Sequence, residues 1–173
     1  LINKELPELK LENARFETSF EKDIPTENGY DKVTFKIKTN PNSEMGSIKN
    51  VSSGGELCRI ALAIKVIAQK NSKTTMVFDE VDSGIGGAVS TAVGERLKKL
   101  GNAKQVIVVT HSPQVAAFGN DHFIVYKTLN NDESKINLRQ LDKDQKVNEI
   151  ARMLSGKETT SEAINAAKKL INE

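Results

Sequence analysis

Two carboxylates and a histidine each follow a short apolar run. Asp79 and Glu80 come directly after residues 76–78, and His111 comes after residues 106–110. Ligands of α/β proteins bind at the carboxyl ends of parallel strands, so we expect the three side chains to face one crevice. Asp79 is suited to hold Mg²⁺, directly or through water, and Glu80 is suited to orient an attacking water. The simpler alternative is that both carboxylates only cap the following loop.

His111 is a titratable group at the end of an apolar strand and precedes Ser112 and Pro113. From there it could donate a hydrogen bond to a terminal phosphate. A lone histidine is more often structural, but the neighbouring carboxylates favour the functional interpretation here. His122 has no comparable setting, and we expect it to be structural.

A pair of glycines begins the clearest helix of the chain. Ser53 and Glu56 flank Gly54 and Gly55, and a serine followed three residues later by a glutamate predicts a capping box. The capping box does not explain the glycines, each of which costs about 1 kcal/mol relative to alanine in a helix. Bare N–H groups at a helix N-terminus bind phosphate. The segment alone leaves a plain cap and a phosphate contact open, and the downstream motifs favour phosphate.

The loop after the two carboxylates is rich in glycine. Its candidate residues are Asp82, Ser83, Gly84 and Gly86. It is either an ordinary connection between a strand and a helix or a crossing point where two subunits touch beside the phosphates.

Other site chemistries fit the chain poorly. It has no G-x-S-x-G elbow for a serine hydrolase, and two histidines and one cysteine, widely separated, do not predict a zinc site. Cys58 is expected to pack inside. Arg59 and Lys65 are expected to be solvated, with Arg59 close enough to the glycines to assist at a phosphate. No G-x-x-x-x-G-K-[S/T] phosphate loop occurs. The motifs therefore predict the distal half of an ATPase head without its main phosphate loop.

The pattern of apolar residues predicts an α/β fold that positions these motifs. Continuous apolar strands at 74–79 and 105–110, separated by a helix at 87–100 that stops at Gly101, predict a βαβ unit covered on both faces. The remaining predicted elements are an antiparallel pair at 14–22 and 31–39 joined around 25–29, a loop at 40–52, a helix at 54–70, a short helix after Pro113, strands near 122–127 and 135–140, and helices at 143–155 and 159–172.

Two faces are predicted from periodicity. The helix at 54–70 is expected to bury a stripe at i, i+3, i+4 and i+7, and the strand at 31–39 is expected to place alternate apolar residues on one face. The helix stripe comprises Leu57, Ile60, Ala61, Ile64, Ile67 and Ala68, and the strand face comprises Val33, Phe35 and Ile37.

Composition limits the class of protein. The 25 Lys and Arg nearly balance the 23 Asp and Glu, which gives no argument for a strongly DNA-binding or membrane-binding surface. The single cysteine excludes an internal disulfide framework and predicts a reducing cytoplasm. No apolar run is long enough to span a membrane, and no secretion leader is evident. Because the chain begins with Leu1, we expect a missing half to lie upstream.

Several segments together resemble the ABC-type ATPase heads of the structural-maintenance-of-chromosomes (SMC) superfamily. They are SSGGE, MVFDEVDSGIGG and VVTHSPQVAAF. The likeness extends through ELCRIALAIKVI, THSPQVAAFGNDHF, EIARMLSG and the upstream KTNPN, and within the superfamily it is greatest to the RecN family of bacterial DNA-repair proteins. It covers residues 12–172 and implies the C-terminal lobe of such a head, a mainly parallel sheet with flanking helices preceded by an antiparallel strand pair.

The resemblance implies a role for each candidate residue. Ser53, Gly54, Gly55 and Glu56 match the ABC signature, which contacts the γ-phosphate of ATP held by the opposite subunit. Asp79 matches the Walker B aspartate associated with Mg²⁺, Glu80 the catalytic glutamate, residues 82–86 the D-loop, and His111 the switch histidine. Ser52 stands where many ABC proteins have leucine.

The resemblance also implies partners. They are the N-terminal lobe of the same head, a second head in an ATP-dependent homodimer, and DNA in the recombinational repair of double-strand breaks, with no membrane. Residues 1–12 would be the end of a coiled-coil arm re-entering the head, and 13–173 the lobe itself. We expect a cytoplasmic, nucleoid-associated protein whose ATP and Mg²⁺ require the missing lobe, so that this chain alone is inactive. The alternative is a non-catalytic dimerisation or interaction module with the same fold.

Overall fold

A computed structural model describes residues 1–27, 29–69, 73–130, 133–156 and 159–172 of the chain. Helices and strands alternate through most of it. In chain order the elements are α1 (Ile2–Glu5), β1 (Arg15–Thr26), β2 (Gly29–Lys38), β3 (Gly46–Ser47), α2 (Gly54–Ala68), β4 (Met76–Asp79), α3 (Gly87–Gly101), β5 (Val106–Val109), α4 (Pro113–Ala117), β6 (Phe123–Asn130), β7 (Glu133–Gln140), α5 (Lys143–Ser155) and α6 (Ser161–Asn172), with 3₁₀ turns at Pro7–Leu9 and Ile48–Asn50.

The predicted antiparallel pair is confirmed, and both strands extend beyond the predicted ends. β1 and β2 pair with Phe20 opposite Val33, and the short β3 joins the other edge of β2. The turn is tighter than expected, since Thr26 already pairs with Gly29. Ile37 is buried, whereas Phe35 and Val33 are 44% and 54% exposed. The apolar face of this hairpin is therefore covered at one end only.

The parallel strands β4 and β5 form a pair in register from Met76 opposite Val106 to Asp79 opposite Val109. Met76 and Phe78 are buried in the main core, but the other face is open, with Val77 51% and Val109 55% exposed. The prediction of strands covered on both faces is therefore wrong for this chain. A continuous apolar run indicates that both faces of a strand need to be buried. In this chain the described residues bury only one of the two faces.

The predicted mainly parallel sheet is correspondingly narrow. Among the described residues, the parallel part of the fold is this two-stranded sheet, and the other two sheets are antiparallel. The β6–β7 hairpin forms the third sheet, and its side chains at Val125 and Ile136 are 69% and 77% exposed. Strand number depends on long-range pairing, which the local apolar pattern does not encode.

The main core joins the N-terminal segment to α2, β4 and α3. Leu6 and Leu9 are completely buried in it, and the side chains of Glu5 and Arg96 form an ion pair beside them. α1 ends before Pro7, which has no backbone N–H to continue the helical hydrogen bonds. Residues 1–12 therefore pack as part of the domain core.

Helix α2 buries a stripe that differs from the predicted one. Ile60 is buried as expected, but Leu57 is 39% exposed and Ala61 is exposed. The residues that pack inward are Gly55, Ile60, Leu62, Ala63 and Val66. Because the helix is apolar on most sides, its sequence is compatible with several stripes, and the neighbouring elements select one.

A second, smaller core lies at the C-terminal end. α4, α5 and α6 contribute buried residues to it, among them Ile150 and Ala167. In α5, Asp142 and Gln145 form a complete capping box, which explains why this helix begins where the sequence predicted. Within the described ranges, no helix is both long and apolar enough to cross a bilayer.

Candidate functional site

The carboxyl end of β4 presents the two predicted carboxylates to solvent. Asp79 and Glu80 are both exposed. The backbone of Glu80 has a φ of 50°, in the left-handed region that costs a non-glycine residue about 1–2 kcal/mol. Its N–H donates to the carbonyl oxygen of Val109 at 3.2 Å, which holds the strained residue against the neighbouring strand. Strain of this kind occurs most often at functional sites.

A buried carboxylate connects the loop after β4 to the loop after β5. Asp82 is 1% exposed. Its Oδ2 accepts hydrogen bonds from the Thr110 hydroxyl at 2.8 Å, from the Ser112 N–H at 2.8 Å and from the His111 N–H at 3.2 Å. The two loops at this edge of the parallel pair are thus joined through one oxygen atom.

His111 extends from this junction into solvent. Its side chain is 80% exposed, and its Nδ1 lies 3.2 Å from Oδ2 of Asp82. The structure therefore brings the predicted histidine and the predicted loop aspartate into direct contact at the same sheet edge as Asp79 and Glu80.

The two glycines at the start of α2 differ in their surroundings. Gly55 is buried, and a Cβ added there would lie 2.5 Å from the carbonyl oxygen of Gly84. Gly54 is exposed, and a Cβ there would have no neighbour within 4 Å. Gly55 is thus needed for close packing against the 82–86 loop, where Gly84 has a φ of 69°. Gly54 is the glycine that keeps the outer surface of the helix start open.

The predicted capping box at this helix is only half formed. The Ser53 hydroxyl accepts from the Glu56 N–H at 3.4 Å. Within the described residues, the Ser53 N–H does not donate to the Glu56 carboxylate. The Glu56 side chain is therefore left available beside the exposed helix start.

Cys58 packs as expected, one turn into α2. Its Sγ donates to the carbonyl oxygen of Val81 at 3.0 Å. Burial raises the pKa of the thiol, and the nearby Asp82 carboxylate adds to the effect. The contact forms a second link between α2 and the loop that follows β4.

Arg59 is not solvated, and the prediction that it assists at a phosphate is not supported by its contacts. Its guanidinium donates to the carbonyl oxygens of Gly55 at 3.1 Å, Leu9 at 2.9 Å and Lys10 at 2.9 Å. A guanidinium with its donors committed to backbone in this way ties the N-terminal segment to α2.

Lys65 and His122 also have structural settings. The Lys65 ammonium donates to the carbonyl oxygen of Val77 and lies 4.6 Å from the centre of the Phe78 ring. It is therefore not merely solvated, as the sequence had suggested. The pKa of His122 is lowered by burial first and by the charge of Lys146 second. The expectation that His122 is structural agrees with this setting.

The exposed carboxylate of Asp79 is compatible with one protein ligand of Mg²⁺. Among the residues that the structure describes, no three histidine, cysteine or acidic side chains form a metal-binding group. Mg²⁺ is commonly held by one or two protein carboxylates together with substrate phosphates and water. Asp79 can supply one ligand of such a set, and the others would come from water and phosphate.

Some site features were missed in the sequence. Thr110 and Ser112 bind Asp82, and the run of polar residues around His111 was the available signal for them. The left-handed backbone of Glu80 had no signal, because glutamate is not a residue that favours that conformation. Ser83 and Gly86 are exposed on the loop. The Ser83 N–H donates to the carbonyl oxygen of Glu80 at 3.0 Å, and among the described contacts none joins Gly86 to the other motifs.

Comparison with curated proteins gives one family repeatedly. The chain is 42% identical over 172 residues to the DNA repair protein RecN of Rickettsia conorii, covering 99% of the chain and 32% of that protein. The chain is RecN-like over its whole length. RecN of Vibrio cholerae is 40% identical over 174 residues and RecN of Bacillus subtilis 36% over 189 residues. The chain spans about a third of the length of these RecN relatives. No protein-family profile matches it.

Solved structures agree on the fold. The Smc head domain with a coiled coil and joint from Pyrococcus yayanosii has a TM-score of 0.64 at 17% identity, covering 97% of this chain and 28% of that one. A chain from work on ATP-driven dimerisation and DNA-stimulated activation of SMC ATPases has a TM-score of 0.58 at 19% identity, covering 91% and 92% of the two chains. The fold is therefore that of a lobe of an SMC-type ATPase head.

Proposed function

We propose that this chain is the C-terminal lobe of the ATPase head of a RecN-type DNA-repair protein. In this proposal it supplies the ABC signature, the Walker B aspartate, the catalytic glutamate, the D-loop and the switch histidine. The similarity to RecN and the SMC-type head fold support the class of protein. The upstream lobe would supply the phosphate loop that the chain lacks.

The observation that carries the proposal is the continuity of four motifs at one edge of the fold. Gly55 of α2 packs against Gly84 of the loop after β4, and Asp82 of that loop binds the loop that contains His111. Glu80 is held between them through the carbonyl of Val109. Motifs that are distant in sequence are thus in physical contact. In the proposal this contact links the residues that act on the ATP of this head to the helix start that would meet the ATP of an opposing head.

Each residue has a chemical task in this proposal. Mg²⁺ would be held by Asp79 and would neutralise phosphate charge, and Glu80 would orient the attacking water. His111 would contact the terminal phosphate. The open surface at Gly54, with Ser53 and Glu56 beside it, would meet the γ-phosphate of ATP on an opposing head. Asp82, Ser83, Gly84 and Gly86 would form the D-loop.

The exposed apolar strand faces support a missing partner lobe. Val77, Ile107 and Val109 stand open on one side of β4–β5, and a parallel sheet is normally covered on both sides. We propose that the N-terminal lobe covers this face and that a second head binds across ATP. We further propose DNA as the substrate of the full-length protein, a cytoplasmic and nucleoid-associated location, and residues 1–12 as the point where a coiled-coil arm enters.

Complementation tests the proposal. The chain is mixed with the upstream, phosphate-loop-bearing part of the same protein, and ATP turnover is measured against the molar ratio. We expect no turnover from either part alone and a rise that saturates at one to one. Glu80→Gln should abolish the rise, because the amide cannot accept a proton from water. Glu95→Gln, which removes an exposed carboxylate from α3, is the matched control and should leave turnover unchanged.

The same experiment separates the alternative, a non-catalytic interaction module. The exposed apolar faces are equally compatible with a surface that only binds. A module of that kind would bind the upstream part with equal affinity in wild type and Glu80→Gln and would produce no turnover. Turnover that is unchanged in Glu80→Gln would remove the catalytic assignment.

A further inference from the structure

Asp82 is a buried carboxylate whose contacts do not involve the proposed metal or the attacking water. It is 1% exposed, and a buried charge is destabilising unless hydrogen bonds compensate for its lost hydration. Among the residues that the structure describes, its Oδ1 has no hydrogen-bond partner. The described hydrogen bonds that compensate for the lost hydration of this carboxylate are therefore all made by Oδ2.

The described partners of Oδ2 come from three consecutive residues. They are the Thr110 hydroxyl, the N–H groups of His111 and Ser112, and Nδ1 of the His111 ring. Three of these contacts fix the backbone and the threonine of the loop. The fourth contact is with the imidazole ring of His111, whose side chain is 80% exposed. Because the ring is not buried, this contact serves to orient the imidazole.

We propose that Asp82 is a positioning residue for His111. Its carboxylate accepts from Nδ1–H, selects that tautomer and leaves Nε2 on the exposed side of the ring. A carboxylate that orients a histidine through one nitrogen determines what the other nitrogen can do. The part of the inference that concerns catalysis rests on the proposed function, whereas the tautomer itself does not. In this tautomer Nε2 is an acceptor, so it would receive a hydrogen bond from the attacking water beside the terminal phosphate, and donation to the phosphate itself would require a proton on both nitrogens.

This inference gives Asp82 a task distinct from a D-loop contact with a second head. The residue would act inside its own subunit by joining the loop after β4 to the loop after β5. Asp82 belongs to the 82–86 loop, and its Oδ2 contacts both the backbone N–H and the ring of His111. A shift of this loop would therefore move the histidine directly.

The tautomer can be measured by long-range ¹H–¹⁵N NMR on the chain labelled with ¹⁵N-histidine, at alkaline pH where imidazole is neutral. The chain has two histidines, so His122→Asn assigns both. We expect protonated Nδ1 for His111 in wild type and a shift toward the mixture of tautomers of a free imidazole in Asp82→Asn. Asp31→Asn removes an exposed carboxylate from β2 and should leave the spectrum of His111 unchanged.

A wild-type His111 protonated mainly at Nε2 would overturn the inference, and this result needs no variant to fold. If Asp82→Asn does not fold, Thr110→Val tests the junction instead, since it removes one bond to Oδ2 and keeps the charge. Thr110→Val should retain the Nδ1–H tautomer. Loss of that tautomer in Thr110→Val would show that the threonine, and not the carboxylate, sets the ring.

Turnover in the assembled two-part head gives the functional measurement. Asp82→Asn should lower kcat about 10- to 100-fold, as loss of an outer residue that orients a functional group typically does, with little change in KM. Unchanged kcat with an altered tautomer would overturn the catalytic part of the inference. A retained Nδ1–H tautomer in a chain without complementable turnover would refute the proposed function and leave the Asp82–His111 pair intact.

Discussion

Replacing each of the two glycines at the start of α2, Gly54 and Gly55, by alanine should have opposite effects on stability. The two positions are adjacent in sequence and lie in the first turn of the same helix. Gly54→Ala places its methyl group in open space, whereas Gly55→Ala places it 2.5 Å from the carbonyl oxygen of Gly84 and 2.9 Å from Cγ2 of Ile85. The pair therefore isolates the close approach of α2 to the loop.

The expected magnitude follows from two terms. Alanine in place of glycine at a compatible position stabilises a protein by about 0.4–1 kcal/mol, and this gain is common to both variants. Overpacking a close contact costs about 1–3 kcal/mol, and this cost applies to Gly55→Ala alone. The helix term cancels in the comparison. The difference in the free energy of unfolding between the variants should therefore be about 1–3 kcal/mol.

Urea unfolding followed by far-ultraviolet circular dichroism measures this difference. For a slope of about 2 kcal/mol per M, the midpoints should differ by about 1 M, with Gly54→Ala at or above wild type and Gly55→Ala below it. Equal midpoints would refute the close approach of α2 to Gly84. In the complementation assay, Gly54→Ala should lose turnover while remaining stable, because its methyl group covers the N–H groups proposed to meet phosphate.

Three further predictions concern groups outside the proposed site chemistry. Cys58 should react slowly with a thiol reagent at pH 8, because burial first and Asp82 second raise the pKa of the thiol and keep it protonated. Arg59→Met should lower the free energy of unfolding by about 1.5–3 kcal/mol in urea titrations, because the carbonyl oxygens of Leu9 and Lys10 lose their charged donor. The free energy of unfolding should fall as the pH drops below 6.5, the ordinary pKa of histidine. Burial first and the charge of Lys146 second lower the pKa of His122 in the folded chain, so protons bind preferentially to the unfolded chain.

The controls for these predictions differ. Cys58 should react rapidly once the chain is unfolded in urea, and equal rates in both states would contradict its burial. Arg15→Met, on the exposed start of β1, should have a smaller effect than Arg59→Met. His122→Asn should flatten the slope of stability against pH just below 6.5, and an unchanged slope would assign that slope to other groups.

The sequence predicted helix ends well where the apolar pattern and a capping or terminating residue agree. Helix α5 begins at a complete Asp142 and Gln145 capping box, and α3 ends at Gly101 as its sequence indicates. The open faces of β4–β5 and of the β1–β2 hairpin could not be predicted in this way. Their apolar residues show that a cover is needed, but whether this chain supplies it depends on packing between distant elements.

The sequence predicted which residues lie at the candidate site better than it predicted the contacts between them. The types and spacing of Asp79, Glu80 and His111 identified the sheet edge, since their chemistry is carried by the side chains themselves. The division of labour between Gly54 and Gly55 was not predictable, because both are the same residue and differ only in what approaches them. Arg59 was misjudged for a related reason, since its acceptors are carbonyls about fifty residues earlier in the chain.

In the proposed catalytic role of Glu80, its left-handed backbone sets stability and activity against each other at one position. Glycine adopts this conformation without the steric cost, and asparagine tolerates it better than most residues. In a library randomised at position 80, selection for resistance to proteolysis alone should enrich glycine and asparagine. Selection for repair in cells should enrich glutamate, and the gap between the two outcomes would measure how much stability the chain gives up to keep a carboxylate there.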